Sequence, residues 1–203
     1  MFDGQETERK RLSFELHDGL GQSLVALKYK LESLQKQSAE SLKPELKELE
    51  TSMAETIEEV RQMSFNLMPA ILSELGLVLA LKNLCQKMQN QTGQSFIFES
   101  DGAFGTFNEK QSTYLFRIVQ EGLNNAVKHA GATLISVHLI EFPDFYMLII
   151  EDNGRGFDYS PQVYEKGHGL YSIKERTDIL KGKLIIQSTP DEGTVIRVKI
   201  PKS

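Results

Sequence analysis

Cysteine is almost missing from this chain. Cys85 stands alone among 203 residues, which excludes an intramolecular disulfide and fits a reducing compartment. It follows Leu84 in an apolar helical pattern, the setting of buried filler rather than of a nucleophile. The histidines and the cysteine show no metal-ligand spacing. Long hydrophobic runs are missing too: the longest, near Leu75 to Leu81, is broken by Lys82 and is too short to span a bilayer. The N-terminus is polar and charged, unlike a secretory leader. Positive charge is not in excess. With 23 Lys and Arg against 28 Asp and Glu, the net charge of −5 argues against nucleic-acid binding by bulk electrostatics. No internal repeat or low-complexity tract interrupts the pattern. The expectation is a soluble, cytoplasmic chain whose 40% apolar residues suffice for one large domain or two small ones.

The first segment is helical. Leu12, Leu16, Leu20, Leu24, Leu27, Leu31 and Leu34 recur in steps of three and four, one buried stripe of a helix predicted from about Glu6 to Gln37. His17 follows Leu16, about 100° further round, so it belongs at the stripe's edge. Asp18 comes next, and Gln22 lies on Asp18's side of the helix. Gly19 and Gly21 weaken the helix by roughly 1 kcal/mol each relative to alanine, which suits a close approach or a bend. A lone histidine on an amphipathic helix reads as a boundary residue. Followed by Asp18, the glycine pair and Gln22, His17 reads as a nucleophile awaiting a phosphoryl group.

After a polar break at residues 37–41, Pro44 fits the first turn of a second helix. That helix carries Leu42, Leu46, Leu49, Met53, Ile57, Val60, Ser64 and Leu67 and ends before Pro69. Two such helices make an antiparallel hairpin whose stripes stay partly wet. Pairing two hairpins covers them, so residues 6–68 predict a homodimeric four-helix bundle.

Beyond a linker at residues 68–74 the texture changes, dividing the chain into domains of residues 1–68 and 69–203. A helix of about Leu75 to Thr92 closes at Gly93, and a strand covers Ser95 to Glu99. Asn108 caps a helix, with Gln111 three residues on. Strands Leu134–Phe142 and Phe145–Asp152 are joined at Pro143-Asp144. After a glycine-rich loop, a helix from Gly169 to Leu180 stops at Gly182. Strands Lys183–Ser188 and Thr194–Ile200 finish the chain. Hairpin-linked strands mixed with helices predict an α+β sandwich, helices on one face of a mixed sheet.

Glu121 and Asn125 share a helix face, with Lys128 and His129 in the next turn. This set suits a hydrated Mg²⁺ and its phosphates, although a solvated helix face can look the same. Asp152 ends a buried strand ahead of Gly154 and Gly156, where a carboxylate can meet an exocyclic amine and backbone can pass close to a purine. Gly167, His168, Gly169 and Leu170 open a helix whose N-terminus favours phosphate; Gly193-Thr194 adds a turn beside the sheet. His168 reads equally as a phosphate contact or a helix-start residue, and His138 as structural.

Glu121-x-x-x-Asn125-Ala126-x-Lys128-His129-Ala130, Asp152-Asn153-Gly154-x-Gly156-Phe157 and Gly167-x-Gly169-Leu170 resemble the N, G1 and G2 boxes of GHKL ATPases, which have the Bergerat fold. Joined to Glu15-Leu16-His17-Asp18-x-x-Gly21-Gln22, they make the chain similar, from about residue 6 to 201, to the transmitter of a bacterial sensor histidine kinase. The nearest likeness is to the NarL-partner subfamily with a HisKA_3-type hairpin. That resemblance implies ATP and Mg²⁺ as cofactors and a cytoplasmic response regulator as partner, a NarL-like receiver with a helix-turn-helix output. It implies His17 as phosphoacceptor, Asp18 as its general base and Gln22 as the residue that positions water for dephosphorylating the regulator. Asn125 would ligate Mg²⁺, with Glu121 beside it as orienting residue or second ligand. Lys128 and His129 would meet phosphates and Asp152 the adenine amino group, while Gly154, Gly156, Gly167 and Gly169 shape the pocket and lid.

Such kinases ordinarily carry a sensor or transmembrane region ahead of the hairpin, whereas this sequence begins almost at it. The expectation is either a trimmed chain or a signal delivered by another polypeptide. Competing readings are a transmitter biased toward phosphatase action and a dimeric scaffold that binds ATP without transferring phosphate. A different GHKL ATPase, a serine kinase or chaperone-like clamp, would leave the His17 hairpin a coincidence.

Overall fold

The computed structural model describes residues 2–37, 42–67, 72, 74–104, 107–159 and 168–202. The chain divides into two compact units, residues 1–70 and 71–203.

In the first unit, α1 (Phe2–Phe14) runs through a π-helical stretch (Glu15–Gly21) into α2 (Gln22–Gln37), and α3 (Lys43–Leu67) returns beside them. The helix starts at Phe2, ahead of the expected Glu6. The glycine pair does not break it but sits in the π-helical stretch, and at its end Gln22 N–H bonds Gly19 O while Ser23 Oγ bonds the same carbonyl at 2.8 Å. A π turn closes its ring over one more residue than an α turn, so it rephases the side chains beyond it. Ile57, Val60 and Ser64 of α3 are buried, the phase expected of that helix's inner face. Ser64 meets Ser13: Ser13 Oγ donates to Ser64 O at 3.0 Å and Ser64 Oγ to Ser13 O at 3.1 Å, both buried. This reciprocal pair satisfies two hydroxyls inside the interface and pins one helix against the other. Much of the leucine stripe stays wet, with Leu20, Leu27, Leu34, Leu42 and Leu49 exposed. The turn at residues 38–41 and the linker at 68–71 and 73, with Pro69, lie outside the described residues.

The second unit holds α4 (Leu77–Thr92), β1 (Ser95–Asp101), α5 (Glu109–Asn125), a second π-helical stretch (Ala126–Ala130), β2 (Leu134–Glu141), β3 (Phe145–Asp152), α6 (His168–Ile179), β4 (Lys183–Thr189) and β5 (Gly193–Pro201). The sheet order is β1-β2-β3-β5-β4, with β1 and β2 parallel and the other pairs antiparallel. Alternation sends Ile135, Val137, Leu139, Leu148, Ile150, Ile196, Val198 and Ile200 into the core. Opposite them lies α5, buried around most of its circumference at Tyr114, Leu115, Phe116, Ile118, Val119 and Leu123. A helix apolar on so many sides must be enclosed, and α5 packs with α4, α6 and β3. The result is the anticipated sandwich, helices on one face of a mixed sheet.

Local signals work as chemistry requires. Asn108 Oδ1 accepts from Gln111 N at 2.8 Å and Gln111 Oε1 from Asn108 N at 3.1 Å, a complete capping box. Gly93 closes α4 in the left-handed region at φ 72°. At the end of α6 the left-handed residue is Lys181, at φ 53°, not Gly182. Gly182 is needed for space instead, since a Cβ there would lie 2.6 Å from Lys199 O. His138 has a partner after all: Glu99, its neighbour across the β1–β2 register, at 3.1 Å. Cys85 is buried, and burial pushes its thiol up to about 12.

Candidate active site

Two clusters gather the candidate site residues, one in each unit. In the sandwich, a cavity of about 700 Å³ opens between the end of α5, the second π stretch, the ends of β3 and β5 and the start of α6. Glu121 and Asn125, one turn apart on α5, reach it together with Lys128 and His129. The π geometry falls on those last two residues, Ala126 to Ala130, and continues their helix to the cavity rim. Asp152, Gly156, Gly169, Leu170 and Thr194 complete the sequence-derived set in the wall.

Gly154, by contrast, lies behind the wall. It is buried against Ala130, whose Cβ and carbonyl leave no room for a side chain. The neighbouring Arg155 N bonds Ala130 O at 2.8 Å, tying the loop to the π stretch. A Cβ at Gly169 would strike Glu121 Oε1 and come within 3.0 and 3.1 Å of the Asn125 amide atoms. Glycine is therefore what lets the start of α6 sit against the Glu121–Asn125 pair. Gly167 lies outside the described residues. His168 begins α6, and its side chain is outside the described set.

Asp152 is half-buried and opposite Thr194 in the β3–β5 register. Burial raises its carboxyl above the ordinary value, opposed by hydrogen bonds from Gly154 N, at 2.9 Å, and from Thr194. A half-desolvated carboxylate at the floor of a cavity is poised to accept a hydrogen bond that water no longer fully supplies. Among the wall residues to which sequence reasoning gave no role are Asn124, Arg155 and Phe157. Arg155 and Phe157 stood at the open or terminal positions of a glycine motif, and their cavity-facing role follows from the loop's path.

The second cluster is on the hairpin. His17 Nδ1 and Asp18 Oδ1 are 2.7 Å apart, and Gln22 Nε2 donates to the same oxygen at 3.4 Å. All three predicted residues meet on one side of the helix, with the His17 side chain 53% exposed. The contact with Asp18 engages the ring through Nδ1. Upstream, Arg11 is occupied by Glu8, at 2.6 Å, and by Glu15. Among the described residues no group of three His, Cys, Asp or Glu forms a metal cluster. None of their helices is long and apolar enough to cross a membrane.

Fold and clusters together define a class: an ATP-binding sandwich of the GHKL type following a helical hairpin that presents an oriented histidine. Comparison with known proteins narrows it. Residues 8–72 match the family model described as histidine kinase. Residues 110–203 match that of the histidine kinase-, DNA gyrase B- and HSP90-like ATPases. The signal transduction histidine-protein kinase/phosphatase DegS of Brevibacillus brevis is 35% identical over 99% of this chain and 53% of its own length. The sensor histidine kinase MctS of Rhizobium johnstonii is 32% identical over 100% of this chain and 45% of its own. The chain thus spans about half the length of these relatives. The histidine kinase domain of a blue-light activated kinase from Erythrobacter litoralis shares the fold, with a TM-score of 0.57 at 14% identity over 89% of this chain and 94% of that one. This chain belongs to the sensor histidine kinases.

Proposed function

We propose that the chain autophosphorylates on His17 from ATP and passes the phosphoryl group to an aspartate of a response regulator. The observation that carries this reading is the His17 Nδ1···Asp18 Oδ1 contact of 2.7 Å. With the Nδ1 proton given to that hydrogen bond, the Nε2 lone pair is the nucleophile. The Nε2–phosphorus bond forms as the bond from the γ-phosphorus to its bridging oxygen breaks and ADP leaves. Asp18 stabilises the positive ring through the shared Nδ1 proton. In the second step a regulator carboxylate oxygen takes the phosphorus, and the N–P electron pair returns to Nε2.

The cavity residues suit ATP and Mg²⁺. Asp152 takes the adenine amino group, and Lys128 and His129 contact phosphates, as would His168. Gly156, Gly169, Leu170 and Thr194 shape the walls, with Gly154 and Gly167 in the flanking loops. Asn125 offers the amide oxygen that Mg²⁺ accepts, with Glu121 orienting it or adding a ligand. When bound, Mg²⁺ neutralises charge on the phosphates. Lys128 and His129 add positive charge in the same place, so positioning and charge neutralisation supply most of the rate.

The exposed leucines of the hairpin support a homodimer, two hairpins closing one four-helix bundle. The partner is a cytoplasmic, NarL-like regulator with a helix-turn-helix output. Gln22, held beside Asp18, supports a phosphatase activity toward that regulator by positioning water, as the kinase/phosphatase name of one relative suggests. Incubation with Mg²⁺ and γ-labelled ATP tests the reading. Acid-labile label present in the intact chain and absent from His17→Ala is expected. Bound ATP without label would favour a phosphatase-biased transmitter, with Gln22→Ala the next variant.

A further inference from the structure

The reciprocal Ser13–Ser64 bonds fix the register of the antiparallel hairpin. Four residues forward from Ser13 is His17; four and three residues back from Ser64 are Val60 and Arg61. His17 stands at the edge of its helix's inner face, next to Leu16. Arg61 stands at the edge of α3's, next to the buried Val60. Both edges open on a cleft of about 240 Å³ lined by His17, Gly21, Gln22, Val25, Val60 and Arg61. Its floor is apolar, from Val25 and Val60, and its cation is Arg61.

The other arginines near this end of the hairpin are engaged. Arg11 is held by Glu8 and Glu15, and Arg9 lies 3.7 Å from Glu6. Among the described residues the carboxylate nearest Arg61 is Glu58, at a marginal 4.0 Å, with both side chains more than half exposed. Phosphorylation would put a group of charge near −2 on a ring already paired with Asp18. Like charges that close repel, and guanidinium matches phosphoryl oxygens with paired donors.

We propose that Arg61 is a further catalytic residue: its guanidinium binds the phosphoryl group on His17 within this cleft and offsets the Asp18 charge. The proposal rests on His17 being the phosphoacceptor. It predicts that Arg61 favours the phosphorylated ring over the free one, whichever donor supplied the group.

The test compares the wild-type chain with Arg61→Ala and Arg61→Lys, each held at fixed ATP to ADP ratios until the phosphorylated fraction is constant. The [phospho-His17][ADP]/[His17][ATP] quotient should fall roughly tenfold in Arg61→Ala, an exposed charged contact being worth less than a buried one. Arg61→Lys should retain part of it, and millimolar guanidinium should restore Arg61→Ala, which a merely structural role would not allow. A parallel arm uses phosphoramidate at fixed ammonium, which phosphorylates imidazole and releases ammonia without ATP. Label is read on the hairpin peptide, where His17 is the one histidine of residues 1–68. Wild type silent with ATP but phosphorylated by phosphoramidate would count against the kinase reading alone, and Arg61 would still be judged in the second arm. Equal phosphorylated fractions in all three proteins, or no rescue by guanidinium, would overturn the role of Arg61.

Discussion

The hairpin and the sandwich use the same helical chemistry to opposite ends. In the sandwich, α5 buries side chains on nearly every side along its middle, and the polar residues of its far end line the cavity. In the hairpin, leucines at helical spacing stay exposed, and the candidate phosphoacceptor His17 stands on the surface. A recessed site can hold a nucleotide out of water and strengthen each polar contact to it. A surface histidine can be reached by partners too large to enter a cavity. The two sites share one device: each coincides with a π-helical stretch, Glu15–Gly21 and Ala126–Ala130. In both places the wider turn interrupts regular α spacing at candidate site residues, and such turns occur frequently at functional sites.

The contrast can be broken first at its chemistry. His17→Ala should abolish acid-labile phosphorylation while leaving ATP affinity unchanged, measured by titration calorimetry. Asp152→Asn should do the reverse, lowering ATP affinity about 10- to 100-fold through loss of a charged hydrogen-bond acceptor, with His17 still open to chemical phosphorylation.

Packing comes next. Leu115→Ala, at a fully buried position of α5, should cost about 2–5 kcal/mol in denaturant unfolding of the sandwich. Leu27→Asp, half exposed on the hairpin, should leave the sandwich transition in place and instead raise the concentration needed for dimerisation, read by analytical ultracentrifugation.

Smaller effects follow from titration. The Asp152 carboxyl is raised by burial, so the folded state holds its proton longer than the unfolded chain does. Stability from this group is present at low pH and is lost as pH rises from its ordinary value of 3.8 through the raised one. At neutral pH Asp152→Asn should therefore match or exceed the wild-type Tm while binding nucleotide poorly; a clear loss of Tm would make Asp152 structural. Smallest of all, Cys85 should resist a thiol reagent at pH 8 in the folded protein and react once denatured, because burial holds its thiol at about 12.

Much of this was legible because it is local. The Asn108–Gln111 capping box, the Gly93 stop, the period of two in β2, β3 and β5 and the stripe through Leu16 each depend on residues close in sequence. The His17–Asp18–Gln22 group was readable for the same reason, being one turn of one helix. The mixed sheet and its covered face followed from alternation and turn chemistry.

Contacts distant in sequence were not legible. Ser13 and Ser64 are separated by 51 residues, and neither advertises a partner; only the hairpin's register joins them and brings Arg61 to His17. His138 found Glu99 through a strand pairing that no spacing announces. Gly182 looked like a helix stop, yet Lys181 took the left-handed conformation, and the glycine instead leaves room for a neighbouring strand. The π turns were invisible because no residue type or spacing marks where a helix takes one extra residue into its hydrogen-bonded ring. By itself the sequence determined the elements and their polarity and marked the candidate site residues, since propensity, capping and periodicity act over a few residues. Tertiary structure alone decided which of those residues share a cavity or a cleft, since only packing converts sequence separation into distance.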